Sequence, residues 1–155
     1  MTKKSKKEFY KIIEKYYLHE KVLEMKNYLH HGINRYDHCF RVAYHTFKVT
    51  KFLHLNYESA TKAAMLHDFW TNELIHEKSN WKRFRNHPTI AVKNAKKYFT
   101  LTELEEDIIK KHMFPITLRP PKYIESWIVD LIDDIVSIYE RCYATIANAK
   151  SYING

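Results

Sequence analysis

The chain has 155 residues, 45% of them apolar, and a formal charge of +8 with histidine neutral. That length favours one domain with a real core, and the apolar share excludes a disordered chain. The two cysteines, Cys39 and Cys142, exclude a disulfide framework; no apolar run nears the roughly 18 residues of a membrane span, and no apolar stretch follows the basic first seven residues, so the expectation is a cytoplasmic protein with reduced thiols.

Only 2 Gly and 4 Pro interrupt a chain rich in Lys, Glu, Leu, Ile and Ala, which points to helices. The spacing of Phe9, Ile12, Ile13, Tyr16 and Tyr17 predicts a helix over 8–19. A second helix is expected over 21–29, ended by Gly32. Asn34 or Asp37 can cap the next, over 36–54, with Phe40, Val42, Ala43, Phe47 and Phe52 as apolar positions. An Ala-rich helix follows over 58–67. Residues 69–85 are polar, basic and aperiodic and read as a long loop.

Pro88 suits the first turn of a helix over 88–98. Thr102 and Glu105 fit a capping box opening a helix to 113. Pro115, Pro120 and Pro121 make a loop. A last helix is expected over 122–150, with Trp127, Ile128, Leu131, Ile132, Ile135, Ile138 and Tyr139 along its buried side. The expected fold is all-α, a single helical bundle of about six or seven helices, with no strand and no internal repeat.

Charge is uneven. Between 78 and 97 lie Lys78, Lys82, Arg83, Arg85, Lys93, Lys96 and Lys97 without one acid. Such a segment attracts polyanions (nucleotides, nucleic acid or anionic lipid) or simply keeps a surface solvated.

Imidazole and carboxylate are the side chains that hold a catalytic divalent metal. Of the ten histidines, His19, His30, His31, His45, His54 and His76 have no neighbours that single them out. His38 opens a helix, with Arg41 one turn on, on a side where it could meet a phosphate. His67-Asp68 ends the Ala-rich helix, where a carboxylate opposes the helix dipole and a bound cation would offset that cost. His87 precedes Pro88, His112 ends a helix, and Asp133 lies on the last helix among Ile132, Ile135 and Val136, with Asp130 and Asp134 sharing its side.

In this order the motifs resemble those of the HD-domain metal-dependent phosphohydrolases. The strings His38-Cys39-Phe40-Arg41-Val42-Ala43, Ala64-Met65-Leu66-His67-Asp68 and Leu131-Ile132-Asp133 are similar to the H…HD…D motifs of that superfamily. The likeness spans about residues 30–145 as the core, with residues 1–29 as a helical extension. His87 and His112 match the two extra histidines of binuclear members, among them the symmetrical diadenosine tetraphosphate hydrolases. His-Pro at 87–88 and His-Met-Phe-Pro at 112–115 look like elements of small bacterial members.

The resemblance implies that His38, His67, Asp68 and Asp133 hold one metal and that Asp68, His87 and His112 hold a second, with Asp68 bridging. It implies hydrolysis of a phosphoester or phosphoanhydride of a nucleotide or dinucleoside polyphosphate by a metal-activated hydroxide, with His67, Asp68 and Arg41 in the catalytic set. Arg41, Lys82, Arg83 and Arg85 are the candidates to bind substrate phosphates, and Trp70, Trp81 and Phe84 to stack on a base. Mixed His and carboxylate ligation suits Fe, Mn, Co, Ni or Zn, and the resemblance favours Fe or Mn. The competing reading is a nucleotide- or nucleic-acid-binding helical module whose metal site is structural or degenerate.

Overall fold

A computed structural model describes residues 2–30, 32–73 and 77–153. Among them are seven α-helices: α1 (Lys3–Tyr17), α2 (Glu20–Leu23), α3 (Arg35–Phe52), α4 (Tyr57–Leu66), α5 (Asn80–Tyr98), α6 (Glu103–Lys111) and α7 (Ile124–Ile153). The all-α expectation holds. His31 and His76, set aside above, lie outside the described residues.

Side chains that accept a free backbone N–H open most of the helices. Thr2 accepts from the Ser5 N–H, Asn34 from Asp37, Asn56 from Ser59, Ser79 from Lys82 and Thr102 from Glu105. The capping box of Thr102 and Glu105 is complete.

The core forms where α3 and α4 pack together, with α1 across α4 and α7 along α3. Small residues allow the close approach: Ala60, Ala63 and Ala64 of α4 are fully buried. From α1, the Phe9 ring packs edge-on against Phe40 of α3 at 5.6 Å. Helices α5 and α6 pack on each other, and α6 also meets α4 and α7.

Four sequence expectations fail. The helix expected over 21–29 stops after Leu23 and continues as a 3-10 turn, Glu24–Asn27. Where no strand was expected, Leu29–His30 and Ile33–Asn34 pair as a two-stranded antiparallel ribbon. Its turn needs Gly32: the backbone is left-handed there (φ 92°), and a Cβ would lie 2.6 Å from that of Ala144.

The third failure is the loop over 69–85. Residues 80–85 belong to α5, so Pro88 and His87 sit inside that helix rather than at its start. Ser79 caps it early enough that two turns precede the proline. The fourth is α7. Leu131, Ile135, Ile138 and Tyr139 point to solvent and Trp127 is 42% exposed, while Val129, Asp133, Val136 and Glu140 face the bundle.

No described helix is long and apolar enough to cross a membrane.

Candidate metal centre

Five helices deliver six buried ligand-type side chains to one place. His38 lies in the second turn of α3. His67 is the C-cap of α4, and Asp68 follows it. His87 comes from the middle of α5, His112 is the C-cap of α6, and Asp133 is on α7. Their donor atoms form two triads, His38–His67–Asp133 and Asp68–His87–His112, each with all its donor atoms within 4.8 Å of one another. The triads adjoin where the His67 and His112 rings meet at 4.9 Å. Asp68 is grouped with the second triad, and Asp130 and Asp134 with neither.

The proton positions follow from the outer partners. His38 Nδ1 faces Glu140 Oε2 at 2.9 Å, His67 Nδ1 the Ala64 carbonyl at 2.7 Å, His87 Nδ1 the Arg83 carbonyl at 3.0 Å and His112 Nδ1 the Ile109 carbonyl at 2.8 Å. Carbonyl and carboxylate oxygens only accept, so all four rings donate through Nδ1. A neutral ring then presents a bare lone pair at Nε2. All four Nε2 atoms point inward, as metal-ligating histidines do when an outer acceptor fixes the tautomer.

That arrangement calls for positive charge, supplied by a metal ion or, in the first triad, by protons on the imidazoles. His87 Nε2 and His112 Nε2 are 2.9 Å apart, yet with both protons committed to carbonyls neither can donate to the other. His67 Nε2 is buried without a hydrogen bond, 3.6 Å from Asp133 Oδ1. His38 Nε2 is 2.8 Å from the same oxygen. Lone pairs turned on one another and on carboxylates in a dry interior repel unless a positive charge lies between them.

The ionisation of the metal-free groups carries the same message. Burial opposes charge on His38, but Asp133 and Glu140 outweigh it and raise the imidazole to about 10. His67 is likewise raised against burial, by Cys39 and Asp133. Asp133 is buried too, and the two imidazoles beside it hold its carboxyl well below the usual range. The first triad therefore draws positive charge to itself. In the second triad burial lowers His87, and burial with His67 and His87 nearby lowers His112 to about 3, so these rings remain neutral ligands. Outside the triads, burial and the neighbouring Asp134 and Asp133 push Asp130 up to about 7.

A second layer holds the acids and rings in place. Trp70 Nε1 donates to Asp68 Oδ1 at 2.9 Å. The Arg35 guanidinium stacks on the Trp70 ring at 3.6 Å, donates to the Trp70 carbonyl at 2.7 Å and brings Nε to 3.5 Å from Asp68 Oδ2. Asn94 of α5 donates to the Phe69 carbonyl at 3.1 Å and to Glu73, tying the chain beyond Asp68 to α5. Glu140, fully buried, bridges His38 to Arg41, whose Nη1 donates to its Oε1 at 3.1 Å.

Arg35 and Glu140 went unnoticed in the sequence. Glu140 left one signal there: it lies seven residues, two helical turns, after Asp133 and so on the same face. Arg41, read as a phosphate contact, stands behind His38 with its guanidinium on Glu140. Lys82, Arg83 and Arg85 are on the first turns of α5 rather than on a loop. Arg83 Nε donates to the Glu77 carbonyl at 2.6 Å, and Arg85 lines a cleft with Lys110, Lys111 and Arg119. Trp70 supports Asp68 and packs beside His87, whereas Trp81 is exposed.

Comparison with known families agrees with this geometry: the family model of the HD domain matches residues 35–137. The chain belongs to the HD-domain family. That span begins at Arg35, includes both triads and ends four residues beyond Asp133. No curated protein and no solved structure matches the chain. The HD superfamily consists mostly of metal-dependent phosphohydrolases, and in this HD domain two His/Asp clusters stand ready for divalent metal.

Proposed function

We propose that this HD domain is a metal-dependent phosphohydrolase that cleaves a phosphoester or phosphoanhydride of a nucleotide or dinucleoside polyphosphate. In this reading His38, His67, Asp68 and Asp133 hold one divalent ion and Asp68, His87 and His112 a second, with Fe or Mn favoured. The observation that carries it is the convergence of four Nε2 lone pairs on two carboxylates, each ring fixed by an Nδ1–H donated outward. Metals held there would supply an activated water and withdraw charge from the phosphoryl oxygens.

The chain's own residues do the rest. Glu140 fixes the His38 ring, and Arg41 fixes Glu140. Arg35 and Trp70 hold the Asp68 carboxylate between them. Arg85 on α5, Lys110 and Lys111 at the end of α6 and Arg119 beyond it line one cleft, and with Lys82 on α5 they give a positive field that draws in phosphorylated substrates.

A second reading has one observation in its favour: none of the six candidate ligand residues is more than 7% exposed, as in a structural metal site. The chain would then be a nucleotide- or nucleic-acid-binding module. Metal counting followed by a hydrolysis screen separates the two. Protein reconstituted anaerobically with Fe or Mn should hold about two ions and hydrolyse diadenosine polyphosphates or nucleotides, and His67→Ala and Asp68→Ala should abolish turnover while the helical circular dichroism persists. Two tightly held ions with no turnover on any phosphoester, but measurable nucleotide binding, would favour the module. Turnover that survives both substitutions would place the chemistry elsewhere.

A further inference from the structure

We propose that the cleft between α5 and the chain joining α6 to α7 is a second anion site, separate from the metal centre, that binds a diphosphate group. The cleft has a volume of about 270 Å³, and four cations line it: Arg85 of α5, Lys110 and Lys111 of α6, and Arg119 of the connection. No carboxylate lines it. Among the described residues Arg85, Lys110 and Arg119 enter no ion pair; Glu106, one turn before Lys110, is taken by Lys96 at 2.5 Å. Lys111 is fixed in place, donating to the Pro120 carbonyl at 2.7 Å with Asp107 at 3.2 Å. Like charges gathered without a counter-charge repel one another, and an anion between them turns that repulsion into attraction.

The neutral groups of the cleft suit the same ligand. The Thr117 hydroxyl is buried at its wall with no hydrogen-bond partner, a donor left over. Thr89 and Asn86 add a hydroxyl and an amide. A tight turn brings Thr117 and Arg119 to the cleft: the Thr117 N–H donates to the Met113 carbonyl at 3.0 Å and the Leu118 N–H to the Pro115 carbonyl at 2.9 Å. Between those two residues Leu118 is left-handed (φ 57°) with its side chain 78% exposed, so the packing of that side chain does not account for the conformation. Backbone of this kind recurs where a chain grips a ligand.

Position separates this cleft from the metal centre. With about 3.6 residues per turn, Arg85, Asn86, Pro88 and Thr89 occupy the side of α5 opposite His87. A ligand bound there lies across the helix from the two triads and is not the phosphate being hydrolysed. Size and charge select the ligand. The cleft is smaller than the roughly 300–1,000 Å³ of sites that enclose a drug-sized molecule, so it takes a compact anion. Four cations exceed the charge of about −1.5 to −2 on a single phosphate and suit two phosphates joined. A nucleic-acid strand carries its charges spaced along a track, whereas these four cations gather at one point. The diphosphate is either free or the tail of a nucleotide.

Calorimetric titration of the full chain with methylenediphosphonate, a diphosphate mimic that resists hydrolysis, tests this. The wild type should bind it, and Asp68→Ala, which disables the second triad, should keep that binding. Arg85→Ala and Arg119→Ala, both at exposed positions, should each weaken it about tenfold or more in either background. Lys82→Ala, on α5 but outside the cleft, should leave it unchanged. Adenosine α,β-methylene diphosphate distinguishes the two sources: equal affinity assigns the tail of a nucleotide, and weaker binding assigns the free diphosphate. A wild type that does not bind the mimic overturns the proposal. So does binding that Arg85→Ala and Arg119→Ala leave intact, which would place the mimic on the metals, or an equal loss from Lys82→Ala, which would show a diffuse field only. The measurement needs no turnover, so it can fail while the hydrolase reading stands, and succeed if that reading falls.

Discussion

Along the same thirty-residue helix, Asp133 and Glu140 are 7% and 1% exposed while Ile135 and Ile138 stand 57% and 62% exposed. One face of α7 is polar and buried, the other apolar and open. The buried carboxylates are tolerated because each is matched: Asp133 by His38 and His67, Glu140 by His38 and Arg41. Desolvating a carboxylate costs several kcal/mol when nothing answers it, and here an imidazole or a guanidinium answers each one. The open face carries no such chemistry. Polarity alone does not say which side of a helix is the inside; what each side must hold does.

The two faces should therefore respond to substitution in different currencies. Asp133→Ala removes the carboxylate shared by His38 and His67, and metal at the first triad should be lost along with all turnover. Ile138→Glu, one turn away on the other face, should leave the metal content unchanged. Elemental analysis of the two variants side by side checks this, and a comparable loss in both would end the division of labour. His87→Ala comes next in size, lowering occupancy from about two ions to about one; an unchanged count would remove His87 from the ligand set. Glu140→Gln is subtler because it keeps shape and removes charge behind His38. Outer partners of this kind typically tune metal affinity by about 10–100-fold. A titration with Mn should show weaker binding at one site and the same binding at the other.

The residues of the two clusters were legible in the sequence because identity and order single them out: a His-Asp pair after a helix, flanked by lone His and Asp on other helices. The positioning layer was not. Arg35 looks like an ordinary surface residue and Trp70 like an aromatic for base stacking until α3 brings the guanidinium over the indole and both against Asp68. The start of α5 was hidden for another reason. Its first two turns, Asn80–His87, have too few apolar residues to show a stripe, and Pro88 resembled a beginning. The Ser79 cap was the overlooked sign. The apolar stripe on α7 was seen but assigned to the wrong side. Periodicity reports which residues share a face and is silent on which face turns inward.

Between the two faces, at its first turn, α7 makes a third kind of contact, and it sets the scale of an ordinary polar tie. Asp107 of α6 accepts from the Lys122 N–H at 2.9 Å and from Ser126 Oγ at 2.8 Å, with Lys111 Nζ at 3.2 Å. Partial burial alone would raise this carboxyl, but those donors outweigh it and hold it below its usual value. A folded-state value below the unfolded one stabilises the protein fully at pH values above the unfolded value of about 3.9, and that contribution shrinks below it and is lost as pH falls through the folded value. Asp107→Asn keeps an acceptor and loses the charge, at a cost of about 1 kcal/mol. Near pH 7 the melting temperature should fall by roughly 2–4 °C, and the gap between variant and wild type should narrow as pH falls below about 3.9. An equal gap at both pH values would mean that the carboxylate's charge contributes nothing. The anchoring of α7 would then rest on packing and on the buried carboxylates that face His38.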